Sequence, residues 1–300
     1  MNQNANRICF TIADVTIGLS LPWPVRITPN FEAFEKKEVP ADFQAEWIPA
    51  LRLPQCEGAL LYNCISFSAY KDKKSFLYQY HDHKDNDRPY AVMKPDFPNN
   101  CEQIFFLPGS EPFFSESHNS FSHIQFEAIL LHFQRLILHA SLIDTPFGGI
   151  LFSGPSGIGK STQAQLWVNY AQARLINGDR PILGREDGKW MAYGSPYAGS
   201  SRCFVNQKTP IRAVVMLEQG RETRLSPLSA GQAFRSLYAE ITVHTWDKTA
   251  VEQTCDLLTD FAASVPMYRL TCTPDAGAVE ILRRELEKGD ESTGSQRSPI

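Results

Sequence analysis

Residues 154–162 read GPSGIGKST and fit the pattern G-x-x-x-x-G-K-[ST]. Glycines in such a segment let successive backbone N–H groups turn toward phosphate oxygens, and the positive end of a following helix faces the same place. Lys160 would reach the β and γ phosphates of a nucleoside triphosphate, and the Ser161 hydroxyl would bind the accompanying Mg²⁺. The residues predicted to bind ATP, or another nucleoside triphosphate, are Gly154, Ser156, Gly157, Ile158, Gly159, Lys160, Ser161 and Thr162.

A glycine-rich turn in front of a helix also occurs for purely structural reasons. Two features favour phosphate binding here: the Lys-Ser pair completes the motif, and the motif stands between an apolar run and a helical pattern. Loops of this type nevertheless serve switches, motors, ligases and kinases alike. The reaction must therefore be inferred from other residues.

Phosphoryl transfer to a hydroxyl needs a group that accepts the hydroxyl proton, and Mg²⁺ needs oxygen ligands. Asp179 in RLINGDRPIL follows a short apolar run, and Glu218 ends the stronger run AVVMLE. Asn-Gly-Asp is also a common turn sequence, which gives Asp179 a structural interpretation as well. Spacing alone leaves the two carboxylates equal as candidates.

The elements around the loop have the order that phosphate binding requires. Residues 139–144, the turn TPFGG and residues 150–153 predict a hairpin whose second strand runs directly into the loop. The pattern after the loop predicts a helix over 161–173, strands over 173–177 and 211–217, and helices that open at Thr249 and Thr273. A strand, a loop and a helix therefore follow one another at the motif.

An amphipathic helix ending near Leu138 is predicted before the hairpin. Apolar residues recur there at helical spacing, namely Phe126, Ile129, Leu130, Phe133 and Ile137. The apolar stripe of this helix is expected to cover a sheet.

The first third of the chain is predicted to be rich in β-structure. Residues 8–107 contain short apolar or alternating runs, such as ICFTIADVTIGLSL and ALLYNCISFSAY, between polar breaks. Residues 31–47 are charged, and residues 108–122 are rich in Ser, Pro and Phe, which suits linkers or surface loops. We expect three parts: a β-rich domain over 1–121 that binds substrate or a partner, a nucleotide-binding catalytic domain over 122–288, and a disordered tail over 289–300.

The run LILHASLIDTPFGGILFSGPSGIGKSTQAQLW, followed by ARLINGDRPIL, resembles the catalytic domain of HPr kinase/phosphorylase, a branch of the phosphoenolpyruvate carboxykinase-like fold. The resemblance covers about residues 139–286. It implies an α/β C-terminal phosphate-loop domain of that type and a homo-oligomer as a conceivable assembly. It also implies Lys160 in catalysis, Asp179 as general base or Mg²⁺ ligand beside Ser161, and His139 close to the transferred phosphate.

The chain departs from the family pattern at several positions. The family usually carries an acid within the loop and two adjacent carboxylates downstream, whereas this chain has Pro155 and, before Asp179, Gly178. The later segment GSPYAGSSRC is closer to divergent HPr-kinase-like proteins associated with peptide-tailoring gene clusters. Arg202 in this segment is a candidate ligand of a phosphate or of a substrate carboxylate. The resemblance thus implies a substrate other than HPr, either a peptide Ser or a small-molecule alcohol.

Composition limits the remaining choices. With 43% hydrophobic and 21% charged residues and a formal charge of −4, the 300-residue chain is typical of a soluble globular protein and offers no net basic field for nucleic acid. No stretch of about 18 apolar residues predicts a membrane span, and the N-terminus lacks an export pattern. The seven Cys are scattered and are expected to be reduced thiols. These features predict a cytoplasmic protein without nucleic-acid or membrane partners.

The sequence thus favours an ATP- and Mg²⁺-dependent kinase that phosphorylates a hydroxyl group. The alternative hypothesis is a nucleotide-gated module that binds a peptide or partner without phosphoryl transfer, which the missing second acid keeps open. Decarboxylation of the carboxykinase type is less favoured because its additional metal ligands and Arg residues have no counterpart in the sequence. Phosphate incorporation into a co-expressed peptide would separate the first two hypotheses.

Overall fold

The computed structural model describes residues 6–71, 75–85 and 87–294. The chain forms two compact units: one contains the residues up to Phe133 together with His244–Ala250, and the other contains Gln134–Val243 together with the residues from Val251 onward. Each unit contains its own large sheet, so the prediction of a mixed α/β chain is confirmed. The boundaries after residues 121 and 288 and the carboxykinase-like arrangement stay predictions. No described helix combines the length and the apolar character needed to cross a bilayer.

The described part of the first unit contains a nine-stranded sheet. Its strands are β1 (Asn6–Ile12), β2 (Val15–Leu21), β3 (Glu35–Lys36), β4 (Phe43–Pro49), β5 (Ala59–Asn63), β6 (Phe67–Lys71), β7 (Phe76–Asp82), β8 (Arg88–Asp96) and β9 (Cys101–Phe106). They lie in the order β3-β1-β2-β4-β9-β8-β7-β6-β5. Its short helices are α1 (Pro29–Glu32), α2 (Ser117–Phe121) and α3 (Phe126–His132). The β-rich character predicted for this region is therefore present in the structure.

The charged segment 31–47 and the stretch 108–122, whose composition suits a linker or surface loop, both contribute buried side chains to this unit. Strand β4 lies inside the sheet between β2 and β9, with Phe43, Ala45 and Trp47 buried. Polar residues occupy the alternate positions of the strand, and this mixture made the segment read as charged. Within residues 108–122, Phe114 and Phe121 are buried. Their large apolar side chains anchor a stretch whose Ser and Pro content alone suggests a loop.

The helix predicted to end near Leu138 ends earlier. Helix α3 stops at His132, and Gln134 has a φ of 57°, a left-handed conformation that a right-handed helix does not contain. Leu136 and Ile137 then form strand β10, which pairs with a later strand of the second unit. The apolar spacing that predicted one long helix therefore spans a helix and a strand.

The second unit carries strands β10 (Leu136–Ile137), β11 (Ala140–Thr145), β12 (Gly148–Ser153), β13 (Arg174–Asn177), β14 (Ile182–Glu186), β15 (Lys189–Tyr193), β16 (Lys208–Gln219), β17 (Arg224–Pro227) and β18 (Met267–Cys272). They lie in the order β10-β14-β15-β16-β12-β11-β13, with β18 paired to β16 and β17 paired to β18. The helices are α4 (Lys160–Tyr170), α5 (Ala230–Tyr238), α6 (Lys248–Ser264), which belongs to this unit from Val251 onward, and α7 (Ala276–Gly294). Helix α7 continues into the predicted disordered tail, and residues 295–300 lie outside the described residues.

Strand direction brings several chain segments to one edge of this sheet. Strands β11 and β12 form the predicted antiparallel hairpin, and β13 is antiparallel to β11. Strand β16 is parallel to β12, and β18 is parallel to β16. The carboxyl ends of β12, β13, β16 and β18 therefore meet the start of β11 at the same edge. Helix α4 packs on the sheet through Trp167, which is buried in one cluster with Phe152 and Val215.

Candidate functional site

The glycine-rich loop connects β12 to α4 and depends on glycine for its backbone conformation. Gly154, Gly157 and Gly159 have φ values of 137°, 79° and 115°, which other residues rarely adopt. A Cβ atom added to Gly157 or Gly159 would meet no other atom within 4 Å. These two glycines are thus required for backbone conformation rather than for lack of room, and the space beside each of them is open.

The first turn of α4 is available to an anion. Its N-cap residue Gly159 supplies no side-chain acceptor, so none of the first-turn N–H groups is capped from that position. Ser161 and Thr162 are exposed on this turn. Free N–H groups and the helix dipole together make a site for phosphate oxygens.

Lys160 lies at the base of the loop and is buried. Its Nζ donates hydrogen bonds to the carbonyl oxygens of Gly154 at 2.7 Å and Pro155 at 3.1 Å. Burial lowers the pKa of the Lys160 ammonium, while the nearby carboxylates of Glu240 and Asp179 oppose this effect. Phosphate oxygens would be stronger partners for the ammonium than these carbonyls.

His139, Asp179, Arg180 and Glu240 form what we call the carboxylate cluster. His139 Nε2 lies 3.4 Å from Asp179 Oδ1, and His139 Nδ1 lies 2.9 Å from Glu240 Oε2. On the other side of Asp179, Arg180 Nε lies 3.5 Å from Oδ2. The structure thus brings the predicted His139 and Asp179 together. The carboxylates of Asp179 and Glu240 also act to raise the pKa of Lys160, so the carboxylate cluster lies near the loop.

Backbone hydrogen bonds fix the positions of these side chains. The Ala140 N–H donates to the Asp179 carbonyl at 3.0 Å, and the His139 N–H donates to the Glu240 carbonyl at 2.8 Å. The Ser153 hydroxyl, at the end of β12, donates to the His139 carbonyl at 2.9 Å. Three separate segments are therefore connected through the start of β11.

The Asn-Gly-Asp segment is a turn, and it also holds the candidate base. Asn177 Oδ1 accepts hydrogen bonds from the backbone N–H groups of Asp179 at 3.0 Å and Arg180 at 2.8 Å. Because the side chain closes the turn, the Asp179 carboxyl is free to point into the cluster. The structural and the functional interpretations of this sequence are compatible.

The segment between β15 and β16 covers the turn. A Cβ atom on Gly178 would lie 2.0 Å from Ser201 Oγ, and one on Gly199 would lie 2.9 Å from Asp179 Cβ. Any side chain at position 178, next to Asp179, would therefore collide with Ser201. Arg202 follows the 3₁₀ helix Gly199–Ser201 within this segment with a φ of 51° and is exposed, and no ion pair involving it occurs among the described residues.

Glu218 lies on the opposite side of β12 from Asp179, at the end of β16. Its Oε2 accepts a hydrogen bond from Thr271 Oγ1 at 3.1 Å. Here the loop borders a cavity of about 350 Å³. The residues that line it include Gly157, Thr162, Gln163, Glu218, Cys272 and Thr273.

Glu240 is the acid that sequence reasoning did not identify. It lies 101 residues after His139, just beyond α5, in a stretch without a recognisable motif. Its pairing with His139 depends on tertiary structure. The only signal in the sequence is an acidic residue close to a helix end, which is too common to be informative.

The oxygen donors of the site suit Mg²⁺ bound together with phosphates better than they suit a metal ion bound by protein ligands alone. In the described part of the chain, no group of three or more His, Cys, Asp or Glu side chains is arranged to hold a metal. Mg²⁺ at nucleotide sites commonly takes one or two protein oxygens, and phosphates and water supply the rest. The exposed Ser161 hydroxyl and the Asp179 carboxyl are oxygen donors of the kind that such an ion takes, whereas the described residues do not form a metal centre of protein ligands alone.

Comparison with known proteins adds a distant resemblance of fold. No protein-family model and no curated protein sequence matches the chain. Among solved structures, the HPr(Ser) kinase/phosphatase from Coxiella burnetii is similar over 54% of this chain and 99% of its own, with 13% identity and a TM-score of 0.34. A similarity of this degree says nothing about substrate or reaction.

Proposed function

We propose that this chain is an ATP- and Mg²⁺-dependent phosphotransferase that phosphorylates a hydroxyl group of a peptide or of a small alcohol. One observation carries the proposal. An open, glycine-shaped loop with a buried Lys160 adjoins a cluster in which Asp179 and Glu240 flank His139. Phosphate-binding groups and proton-accepting groups are thereby combined at one edge of the sheet.

The nucleotide would lie across the loop. Backbone N–H groups of the loop and the first turn of α4 bind the triphosphate, and Lys160 exchanges its carbonyl partners for phosphate oxygens. The ribose and base extend into the cavity that Cys272 and Thr273 line. This orientation directs the terminal phosphate toward Asp179.

The residues of the cluster have separate roles in transfer. Asp179 accepts the proton of the acceptor hydroxyl as its oxygen bonds to the γ phosphorus, and the bond from that phosphorus to the β–γ bridging oxygen breaks. His139 donates or accepts a hydrogen bond beside the transferred group, and Arg180 holds the carboxyl of Asp179. Ser161 and Asp179 would hold Mg²⁺, which supplies charge neutralisation on the phosphates.

Transfer of labelled phosphate tests the proposal directly. Purified protein, Mg²⁺ and ATP labelled at the γ phosphate are incubated with a pool of Ser-containing peptides and, separately, with a set of small alcohols. We expect label in an acceptor, a mass increase of one phosphate on that acceptor, and loss of both with Lys160→Ala.

Two negative outcomes have different meanings. Tight ATP binding in calorimetry without transfer to any acceptor and without hydrolysis would favour the nucleotide-gated binding module. Absence of ATP binding would overturn both functions, because each begins with a triphosphate on the loop.

A further inference from the structure

We propose that Glu240 is a positioning residue: it holds the His139 imidazole with its hydrogen on Nδ1, so that Nε2 is the nitrogen presented to Asp179 and to the reacting groups. This inference rests on the proposed function for its catalytic consequence. Its structural part concerns only the state of one imidazole ring and is measurable without any substrate.

His139 and Glu240 contact each other through both the main chain and the side chains. The His139 backbone N–H donates to the Glu240 carbonyl at 2.8 Å, and the side-chain atoms Nδ1 and Oε2 lie 2.9 Å apart. Main chain and side chain of His139 therefore both depend on the same residue. A surface ion pair would be loosely held, but the Glu240 side chain is only 10% exposed.

Glu240 is itself held by the helix before it. Its backbone N–H donates to the Leu237 carbonyl at 2.8 Å, and Leu237 is buried in the last turn of α5. The position of the carboxyl is thus set by packing of α5 and not by a mobile side chain alone. Such anchoring is what orientation of a second group requires.

The chemistry of the pair decides where the hydrogen lies. A carboxylate oxygen accepts hydrogen bonds, so an Nδ1–H that donates to Glu240 Oε2 satisfies the 2.9 Å contact. With Nδ1 turned to Glu240, Nε2 is the ring nitrogen on the side of Asp179. Nε2 lies 3.4 Å from Asp179 Oδ1, so the acceptor hydroxyl can meet both groups at once.

Two substitutions separate positioning from charge. Glu240→Leu removes the acceptor at similar size, whereas Glu240→Gln loses the charge but keeps an amide oxygen that accepts from Nδ1–H. Glu222→Leu is the matched control, because Glu222 is 87% exposed and only faces Arg224 at 3.8 Å. Thermal unfolding of each variant establishes that it is folded.

The first readout is nuclear magnetic resonance of the imidazole nitrogens, with the His139 signals assigned by their loss in His139→Gln. In the wild type and in Glu240→Gln we expect Nδ1 to be the protonated nitrogen. In Glu240→Leu we expect the hydrogen to move to Nε2. An unprotonated Nδ1 in the wild type, or an unchanged spectrum in Glu240→Leu, overturns the inference whether or not the protein transfers phosphate.

The second readout is single-turnover hydrolysis of ATP labelled at the γ phosphate, with water as acceptor. Loss of an orienting partner typically lowers activity about 10–100-fold. We expect this loss in Glu240→Leu with ATP binding no weaker than in the wild type, substantial recovery of activity in Glu240→Gln, and no change in Glu222→Leu. If the imidazole behaves as expected but no protein hydrolyses or transfers phosphate, the proposed function fails and the positioning role stands.

Discussion

The two sides of β12 are built differently around the same loop. On the side of β11 and β13, ionisable groups are held at short range, with His139 between Asp179 at 3.4 Å and Glu240 at 2.9 Å. On the side of β16 and β18, the loop borders a cavity of about 350 Å³ where Glu218 is the acid. Its Oε2 accepts a hydrogen bond from the Thr271 hydroxyl at 3.1 Å and lies 3.9 Å from Arg269 Nε. The side of β11 and β13 thus carries a network of ionisable side chains, and the side of β16 and β18 carries a cavity.

This difference is consistent with separate roles for the two sides of the loop, phosphate transfer on one side and nucleoside binding on the other. Fixed charges and hydrogen bonds suit a step in which charge and protons move, because such groups need no rearrangement during the reaction. A concave space lined by both apolar and polar side chains suits recognition of a nucleoside. We propose that the carboxylate cluster carries out phosphate transfer and that the cavity binds the nucleoside.

The largest effect is expected on the cluster side. Asp179→Asn keeps the size of the side chain but removes the proton acceptor, so turnover should fall roughly 10²–10⁴-fold. The Kd for ATP should change little, because the triphosphate contacts lie on the loop. Initial rates with labelled ATP, together with calorimetry, measure the two quantities. Turnover at the wild-type rate would remove Asp179 from the reaction.

Lys160→Ala, in the loop, should mainly weaken ATP binding, whereas Asp179→Asn should mainly slow turnover. A charge-assisted contact contributes about 1.5–3 kcal/mol, so the Kd for ATP should rise roughly 10–150-fold. Calorimetry measures this change. Lys288→Ala is a suitable control because its side chain is 74% exposed and far more hydrated than that of Lys160. Equal affinity in Lys160→Ala and wild type would contradict phosphate binding by this residue.

On the cavity side, a bound nucleotide should protect Cys272 from alkylation. At ATP concentrations ten times the Kd, the rate with iodoacetamide should fall about tenfold, because only the free protein reacts. Cys255, on α6 and outside the cavity, should react equally fast with and without ATP. Peptide mass spectrometry measures both rates. Equal protection of the two thiols, or none, would place the nucleoside elsewhere.

The pH dependence of this reaction has a defined direction. Burial raises the pKa of the Cys272 thiol, with Asp275 adding to the effect and a hydrogen bond from Gln163 opposing it. Since the thiolate is the reactive form, alkylation should be slow at neutral pH and should accelerate as the pH rises.

The smallest effect on function is expected for Glu102, a buried carboxyl of the first unit that belongs neither to the carboxylate cluster nor to the lining of the cavity. Burial raises the pKa of Glu102 to about 8, so the folded state binds a proton that the unfolded state releases above about pH 4.3. Its contribution to stability is complete below that value and is lost as the pH rises toward 8. Unfolding free energies between pH 6.5 and 8.5 should fall by up to about 1.4 kcal/mol per pH unit and should fall less in Glu102→Gln. The Kd of Glu102→Gln for ATP should equal that of the wild type.

Local sequence predicted what local interactions determine. The hairpin, the loop and α4 were predictable because glycine conformation and the Lys-Ser pair act within a few residues, and β16 was predictable from its apolar run. The end of α3 was not predictable, since Gln134 gives no sign in its residue type that it adopts a φ of 57°. Strand β4 was missed because its polar face obscured the buried one.

The residues of the candidate site differ in the same way: those set by local sequence could be predicted, and those set by tertiary contacts could not. Asp179 could be proposed from its strand end, although only the structure shows that Asn177 closes the turn. Glu240 could not be proposed, because α5 and the strands before it must fold before it meets His139. Residues that act through tertiary contacts have no signature at a fixed spacing.

A crystal structure of the protein with Mg²⁺ and a non-hydrolysable ATP analogue tests the central claim most directly. The account predicts the triphosphate on residues 154–162, the terminal phosphorus beside the Asp179 carboxyl, and the base between Thr162 and Cys272. A terminal phosphorus that lies toward Glu218, with the Asp179 carboxyl turned away from it, would contradict the account.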